Sequence, residues 1–448
     1  MDVSLILTHR CNLACGYCYA GEHHKTDIDE DVLRRGVELL FSDGAPHAQL
    51  SFFGGEPFLA FETMQRATLL AEAKAQALGR DLTLQCTTNG TLLKAEHVEF
   101  IRTHGVRVTV SIDGIREAHD QNRPCAGGKP SFDQVRAGMR RLLDAGVACD
   151  AMMVITPETA EHAYLSCNFL WSEGVRKVRA NLALDMEWSE EARRELREQL
   201  VSIGWELLAR RMRGEDVSFV PFEPGMRELE VSLAAAPVRG PRAKLVVGTS
   251  GHLYPCAPMV GEDRDAGPEA RLRLGHLDDG PERILSAVRA QGVACEKGKG
   301  CQCAAYLETG DRYTAGRIGG WYGRVCREIG RTVAEALART PTERPKRSKR
   351  RGVLLGLAAI VGGAAVAAPL LGPLFQEDTP APCSLRNRKQ VGWTGEPYPD
   401  VAGAVAIPED IAPPGGISAP PEPEVLIDGE MPVWEEPRPL GEIADPEE

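Results

Sequence analysis

The sequence predicts an α/β fold: an open, partial (β/α)6 barrel followed by a small Cys-rich unit. Three observations carry this. Short β-rich runs alternate with amphipathic stretches six times within residues 1–185. Strand–helix alternation implies a parallel sheet with helical crossovers, and six units are too few for the eight-stranded closed barrel. A polar, Arg/Glu-rich segment then precedes a second concentration of cysteines in residues 245–330.

The β-rich runs are Val3–Thr8, Gln49–Phe53, Leu82–Thr87, Val106–Ile112, Ala151–Ile155 and Val175–Asn181. The helical stretches between them are Asp31–Leu40, Thr63–Ala77, Ala95–Thr103, Phe132–Ala145 and Thr159–Ser172. Ser189–Gly214 reads as one helix inside a linker over residues 186–244, and residues 245–330 as a separate Cys-rich domain. A basic juxtamembrane segment over 331–352 ends in the run Arg344 to Arg351.

Val353–Phe375 carries no charged residue and is long enough to cross a bilayer as one transmembrane helix; a buried helix is the other reading. The basic cluster before it marks that side as cytoplasmic. Residues 376–448 hold 14 prolines and few large apolar residues, so they are expected to be disordered. On this reading the protein is membrane-anchored, with a cytoplasmic catalytic part and an extracytoplasmic tail. Trp393 and Trp434 in the tail suggest a partner-binding arm.

The net charge of −12 belongs to that tail, because residues 377–448 hold 16 acidic and 4 basic residues. The rest is neutral, which gives no sign of a nucleic-acid surface. There are 13 cysteines and no secretory pattern at the N-terminus. A reducing compartment is expected, where clustered cysteines favour metal over disulfides.

The chemistry centres on Cys11, Cys15 and Cys18, three soft ligands on one loop after the first strand. Such a loop can hold a metal cluster with one coordination position open. Structural zinc, with His23 or His24 as a fourth ligand, is the alternative. The following strand ends carry Gly54-Gly55-Glu56-Pro57, then Thr88-Asn89-Gly90, then Ser111-Ile112-Asp113-Gly114 with Arg123 beyond. Paired glycines let a backbone approach a ligand closely. Short hydroxyl, amide and carboxylate groups suit ribose hydroxyls and a ligand's charged ends. A second set, Cys256, Cys295, Cys301, Cys303 and Cys326, follows. Cys86, Cys125, Cys149, Cys167 and Cys383 are scattered, and Cys86 and Cys149 read as core packing.

The C-x3-C-x2-C spacing with Tyr17 before Cys18, taken with the strand-end motifs, resembles radical S-adenosylmethionine (SAM) enzymes, whose fold is a partial TIM-like barrel. The resemblance covers residues 1–330. It implies a 4Fe-4S cluster on Cys11, Cys15 and Cys18, with SAM on its fourth iron. It further implies that the Gly54, Gly55, Glu56 and Pro57 turn holds the SAM amino group. Thr88, Asn89, Ser111 and Asp113 would line the pocket, Arg123 would meet the SAM carboxylate, and Tyr17 would pack near the adenine.

Gly251-x4-Cys256, the turn at Leu274-Gly275 and Cys295-x5-Cys301 resemble the SPASM/twitch extension of that family. Its full pattern has seven cysteines. The five here imply one auxiliary 4Fe-4S cluster on four of them, with structural zinc as the alternative. The activity implied is reductive SAM cleavage to a 5′-deoxyadenosyl radical that abstracts hydrogen, most readily from a peptide or protein undergoing modification. A flavodoxin or ferredoxin would be the reductant. Ala257, where sulfatase-maturing relatives are expected to carry an acidic residue, weakens the sulfatase reading. The alternatives are a small-molecule substrate in cofactor biosynthesis and an idle membrane-anchored scaffold. No catalytic acid or base is identifiable.

Overall fold

The computed structural model describes residues 1–233, 244–264, 267–290 and 301–339. Six strand–helix units come first: β1 (Asp2–Ile6), α1 (Glu30–Leu40), β2 (His47–Phe53), α2 (Phe61–Leu78), β3 (Asp81–Thr88), α3 (Ala95–Thr103), β4 (Arg107–Ser111), α4 (Arg116–Asn122), α5 (Phe132–Asp144), β5 (Cys149–Ile155), α6 (Ala163–Ser172) and β6 (Lys177–Leu182). Local chemistry sets their ends. The Asp29 side chain accepts from the Val32 amide at 2.8 Å and so caps α1. Gly79, at φ 61°, terminates α2 in the left-handed region. Sequence reasoning missed α4, whose seven residues are too few to show a helical period.

Beyond β6 run α7 (Glu190–Met212), β7 (Ser218–Phe219), α8 (Glu223–Leu233), β8 (Lys244–Val247), β9 (His252–Tyr254), β10 (Gly275–His276), α9 (Pro281–Ala290), α10 (Gln302–Thr309) and α11 (Arg317–Arg339). The strand order is β10-β9-β8-β1-β2-β3-β4-β5-β6-β7, parallel from β8 through β7 and antiparallel across β8, β9 and β10. Each strand of the first six pairs with its successor. Right-handed crossovers that always advance the same way put the helices on one face, and the sheet curls with that face outward. The sheet ends at β10 and β7, so the barrel is open.

The curl is written in the burial of alternate residues. Leu5, Leu50, Phe52, Val108, Val110, Ala151 and Val178 are buried toward the helices in one continuous core. Burial of each such side chain is worth roughly 1.5–3 kcal/mol. Their neighbours Ser4, Gln49, Gln85, Thr109, Ser111, Asp150 and Arg179 are less buried and face the other way. A parallel sheet with a polar, partly open concave face is built to hold a ligand at its strand C-termini.

The Cys-rich part does not begin beside the barrel as a sheet of its own. β8 pairs with β1 in parallel, with Asp2 opposite Lys244 and Leu5 opposite Val247. The antiparallel pair β9–β10 then continues the same sheet. No helix among the described residues is long and apolar enough to cross a membrane. The expected span at 353–375 and tail at 376–448 lie outside the described residues.

Candidate active site at the strand C-termini

The loop bearing Cys11, Cys15 and Cys18 leaves the C-terminal end of β1 and is stitched down by backbone. The Ala14 amide donates to the Pro124 carbonyl at 2.8 Å, Gly16 to Asn122 at 2.9 Å, and Ala126 to Asn12 at 2.9 Å. On its other flank, Gly55 donates to Thr8 and Glu56 to Arg10, both at 2.8 Å. The loop is thus clamped between the turns after β2 and α4. Such close approach requires glycine. A Cβ on Gly54, at φ 140°, would lie 2.3 Å from the Thr8 oxygen, and one on Gly55 would lie 2.2 Å from the Arg10 oxygen.

All three thiols are half-buried, and each has its own partner. Cys11 Sγ lies 3.5 Å from the Leu13 amide and 3.9 Å from Asn89 Nδ2. Cys15 feels the positive charge of Arg123. Cys18 Sγ lies 3.9 Å from His23 Nε2. Burial pushes the Cys11 thiol up to about 12 and Cys15 upward as well. Cys18 is also desolvated, but hydrogen bonds from His23 and the Ala20 amide outweigh that and bring it below the usual thiol value.

Glu56 bridges two strand ends. It is fully buried, with Oε1 accepting from the Phe58 amide at 3.1 Å and Thr88 Oγ1 at 2.8 Å, and Oε2 from the Asn89 amide at 2.7 Å. Its carboxyl is raised to about 7 by burial, which those hydrogen bonds only partly offset. Glu56 ties the end of β2 to the end of β3, Pro57 starts a short 3-10 turn, and only the backbone of Gly54 and Gly55 is left partly open. Thr88 and Asn89 are likewise buried, at 2% and 7% exposure. Asn89 Nδ2 donates to Asn12 Oδ1 at 2.9 Å, and Asn12 Nδ2 to Thr91 Oγ1 at 2.8 Å, so this pair braces the cysteine loop. Sequence reasoning missed Asn12; nothing in its spacing distinguishes a brace from a loop filler.

Arg123 was expected to grip a ligand carboxylate. The structure gives its fork another acceptor. Nε and Nη2 donate to Asp113 Oδ2 and Oδ1, both at 3.0 Å, with Arg123 6% and Asp113 2% exposed. The Tyr17 hydroxyl donates to Asp113 Oδ2, the Val154 amide to Oδ1 at 2.8 Å, and the guanidinium stands 5.2 Å from the Tyr17 ring centroid. Arg123 and Asp113 thus form a buried ion pair through Nε and Nη2. Ser111 remains half-buried at the end of β4, and the Tyr17 ring stays partly exposed.

The second cysteine set is divided. The Cys303 thiol hydrogen-bonds with both Cys256 and Cys301, which raises it far above the ordinary range. Cys295 lies outside the described residues. Cys326 lies elsewhere, in α11, and would be the spare one of the five. It is buried in α11 among core residues, hydrogen-bonds with Tyr322, and lines a cavity of about 270 Å³ with Met152 and Arg179. The two cysteine regions touch. Glu262 Oε1 accepts from the Glu22 amide at 2.9 Å, its carbonyl lies 2.9 Å from His24 Nε2, and Tyr19 feels the charge of Cys18, Cys256 and Cys303.

The first site fits a cluster better than a zinc ion. His24, one candidate fourth ligand, has its ring nitrogens 2.9 Å from Thr26 Oγ1 and 2.9 Å from the Glu262 carbonyl. His23 Nδ1 is 3.2 Å from the His9 carbonyl, and its other nitrogen faces Cys18. Among the described residues no three His, Cys, Asp or Glu side chains are gathered to hold a single ion. A four-iron cube spaces its thiolates farther apart than one ion does, and it asks for soft donors with hydrogen bonds to sulfur. This loop supplies three soft donors, with hydrogen-bond contacts at Cys11 and Cys18.

The model of the radical SAM superfamily matches residues 5–170. A serine-type anaerobic sulfatase-maturating enzyme of Bacteroides thetaiotaomicron is 35% identical over 167 residues, 36% of this chain and 40% of that protein. A cysteine-type counterpart from Clostridium perfringens is 27% identical over 161 residues, 34% and 43% of the two. The Fe-coproporphyrin III synthase of Methanosarcina barkeri is 28% identical over 176 residues, 38% and 41%. The aligned part thus spans about two fifths of each of these relatives. In three dimensions the fold is similar to native anSMEcpe with bound AdoMet, at a TM-score of 0.61 and 18% identity over 75% of this chain and 98% of that one. Residues 5–170 of this chain are a radical SAM domain.

Proposed function

We propose that this chain is an iron–sulfur enzyme that cleaves SAM and modifies a residue of a peptide or protein. One observation carries it: three half-buried thiols on one clamped loop, beside a glycine turn that admits no side chain. Cys11, Cys15 and Cys18 would hold the 4Fe-4S cluster. The backbone of Gly54 and Gly55, the Ser111 hydroxyl and the Tyr17 ring would line the SAM site. Once bound, that cluster and SAM supply reductive cleavage to methionine and a 5′-deoxyadenosyl radical, which takes a hydrogen atom from the substrate. The chain's own part is to fix the thiols, exclude water around Cys11 and Cys15, and hold the loop rigid through Asn12, Asn89 and Glu56.

Cys256, Cys301 and Cys303, with Cys295 as a fourth, would carry one auxiliary cluster. The maturase relatives support the protein substrate. Ala257, packed with Phe53 against a small apolar cluster around Ile6 and Tyr254, supplies no base. The tetrapyrrole enzyme among the relatives supports a small-molecule substrate as the second reading. Anchoring through residues 353–375, with the barrel in the cytoplasm and a flavodoxin or ferredoxin as reductant, completes the proposal; membrane fractionation of the full chain tests the anchor.

The test is anaerobic reconstitution with dithionite and SAM. We expect 5′-deoxyadenosine to form, and about eight irons per chain from two four-iron centres. No 5′-deoxyadenosine from iron-loaded protein would end the enzyme reading. A mass change on a Ser- or Cys-bearing peptide supports the first substrate class; turnover with a tetrapyrrole alone supports the second.

A further inference from the structure

We propose that the cavity between β5, β6 and α11 is a substrate pocket that takes one neutral, hydrogen-bonding side chain of a peptide together with its adjoining main-chain amide. The inference rests on the reading above that the chain acts on a peptide or protein, and it says what part of that substrate is gripped and where. The cavity has a volume of about 270 Å³, and its lining includes Met152 of β5, Arg179 and Asn181 of β6, and Tyr322, Gly323 and Cys326 of α11. Its place follows from strand register. Ser111 pairs with Met152, and Met152 with Arg179, so the three stand in one row across neighbouring strands. Residues paired in register share a face, here the concave one. Strands lie about 4.8 Å apart, which puts the main chain at Arg179 about 10 Å from that at Ser111. Ser111 is assigned above to the SAM site, so the cavity lies two strands from the place where hydrogen would be taken.

Two features give the cavity its selectivity. The first is Gly323. A glycine inside a helix costs about 1 kcal/mol relative to alanine. Gly330, farther along α11, is required by close packing, because a Cβ there would lie 2.2 Å from the Phe222 carbonyl oxygen. Gly323 answers no such clash: among the described residues its Cβ would meet only the Arg327 guanidinium, at 3.5 Å. Its missing side chain leaves room in the cavity instead. The second feature is a donor beside an acceptor. Arg179 Nε and Nη2 donate to Asp150 Oδ2 at 3.0 and 2.9 Å, and Asn181 Nδ2 donates to Met152 Sδ at 3.5 Å. Among the described residues this leaves Arg179 Nη1 to donate and Asn181 Oδ1 to accept, two residues apart on one face of β6. A peptide amide offers the complementary carbonyl and N–H. Asp150 already balances Arg179, so a charged occupant would leave one charge uncompensated. Pockets for drug-sized ligands hold roughly 300–1,000 Å³. This one is matched to a side chain and its amide, and is too small for a macrocycle.

The experiment uses the full chain, reconstituted anaerobically, with SAM and without reductant. The probe is a pool of acetylated, amidated pentapeptides of the form Ala-Gly-X-Gly-Ala that differ at X alone, and equilibrium dialysis with mass spectrometry reads which are retained. Peptides with Ser, Thr or Asn at X should be held about tenfold better than those with Asp or Lys. Gly323→Leu fills the cavity and should remove that preference. Gly320→Leu, on the same helix but outside the cavity lining, should keep it. Asn181→Asp, at an exposed side chain, should shift retention toward Lys, and it carries the test if Gly323→Leu does not fold by circular dichroism. Retention independent of X, a preference for Asp or Lys in the parent protein, or a preference that survives Gly323→Leu overturns the inference. So does coproporphyrin held by the parent protein and lost from Gly323→Leu, because the cavity then takes a tetrapyrrole. Dialysis needs no turnover, so a failure to form 5′-deoxyadenosine with dithionite counts against the enzyme reading and not against the pocket.

Discussion

The two cysteine regions are built in opposite ways. Cys11, Cys15 and Cys18 share one loop, and each thiol is answered by a different partner from the surrounding frame: Leu13 and Asn89, Arg123, and His23. Cys256, Cys301 and Cys303 come from the segment after β9 and the start of α10, and Cys303 is pushed upward by the other two thiols. A site closed within eight residues is specified by short-range chain geometry and then braced. A site assembled across some 45 residues depends on how two segments dock. The first should therefore tolerate loss of the second better than the reverse.

The largest expected effect tests that asymmetry. Cys15→Ala should abolish 5′-deoxyadenosine formation. Cys303→Ala should keep uncoupled SAM cleavage while iron falls from about eight to about four per chain. Equal loss of SAM cleavage in both would show that the regions are one functional unit.

Next comes the glycine turn that clamps the first loop. Gly55→Ala puts a Cβ 2.2 Å from the Arg10 carbonyl oxygen. We expect a loss of about 3–4 kcal/mol in urea unfolding, at the severe end for a single substitution. Cysteines 256, 301 and 303 should remain as resistant to alkylation under native conditions as in the parent protein.

The brace behind the first loop gives a pH signature. Glu56 titrates near 7 in the fold against an ordinary value of 4.5, so the folded state holds its proton more tightly. Its contribution to stability is full below pH 4.5 and is lost as pH rises toward 7, by roughly 3 kcal/mol at about 1.4 kcal/mol per unit. Buried His119, lowered to about 4 mainly by desolvation, acts the other way: its contribution is full above 6.5 and is lost as pH falls toward 4. Glu56→Gln should therefore leave a curve that rises more steeply from pH 4.5 to 7 than that of the parent protein. An identical slope would place the Glu56 titration elsewhere.

The smallest effect concerns the contact between the regions. Glu262→Ala removes the acceptor for the Glu22 amide and the partner of Arg264 at 2.7 Å. A loss of about 1 kcal/mol in thermal unfolding is expected, with SAM cleavage nearly unchanged. A large drop in cleavage would mean that the second region holds the first loop in its working shape.

How much of this was legible depends on range. The six strands and their crossover helices were readable because apolar periodicity is local, and β1 to β6 pair in chain order. The cysteine loop and the glycine turn were readable because a few adjacent residue types suffice to define them. The roles of Glu56, Asn89, Asp113 and Arg123 were not. A carboxylate beside a ligand and one buried as a brace are the same letter, and only burial with named donors separates them. Which of the five later cysteines stands apart was not legible either, since its count in the sequence said nothing of Cys326 lying inside α11.

By itself, the sequence determined a (β/α) succession, a three-thiol loop at the first strand's end and glycines where a backbone must pass closely. Those follow from periodicity and local sterics. Only the tertiary structure decided that β8 extends the barrel sheet beside β1, that Arg123 turns its Nε and Nη2 to Asp113, and that Cys303 lies near Cys256 and Cys301 while Cys326 stays in the core. Those choices are made by desolvation and long-range pairing, whose free energy exists only once distant segments have been brought together.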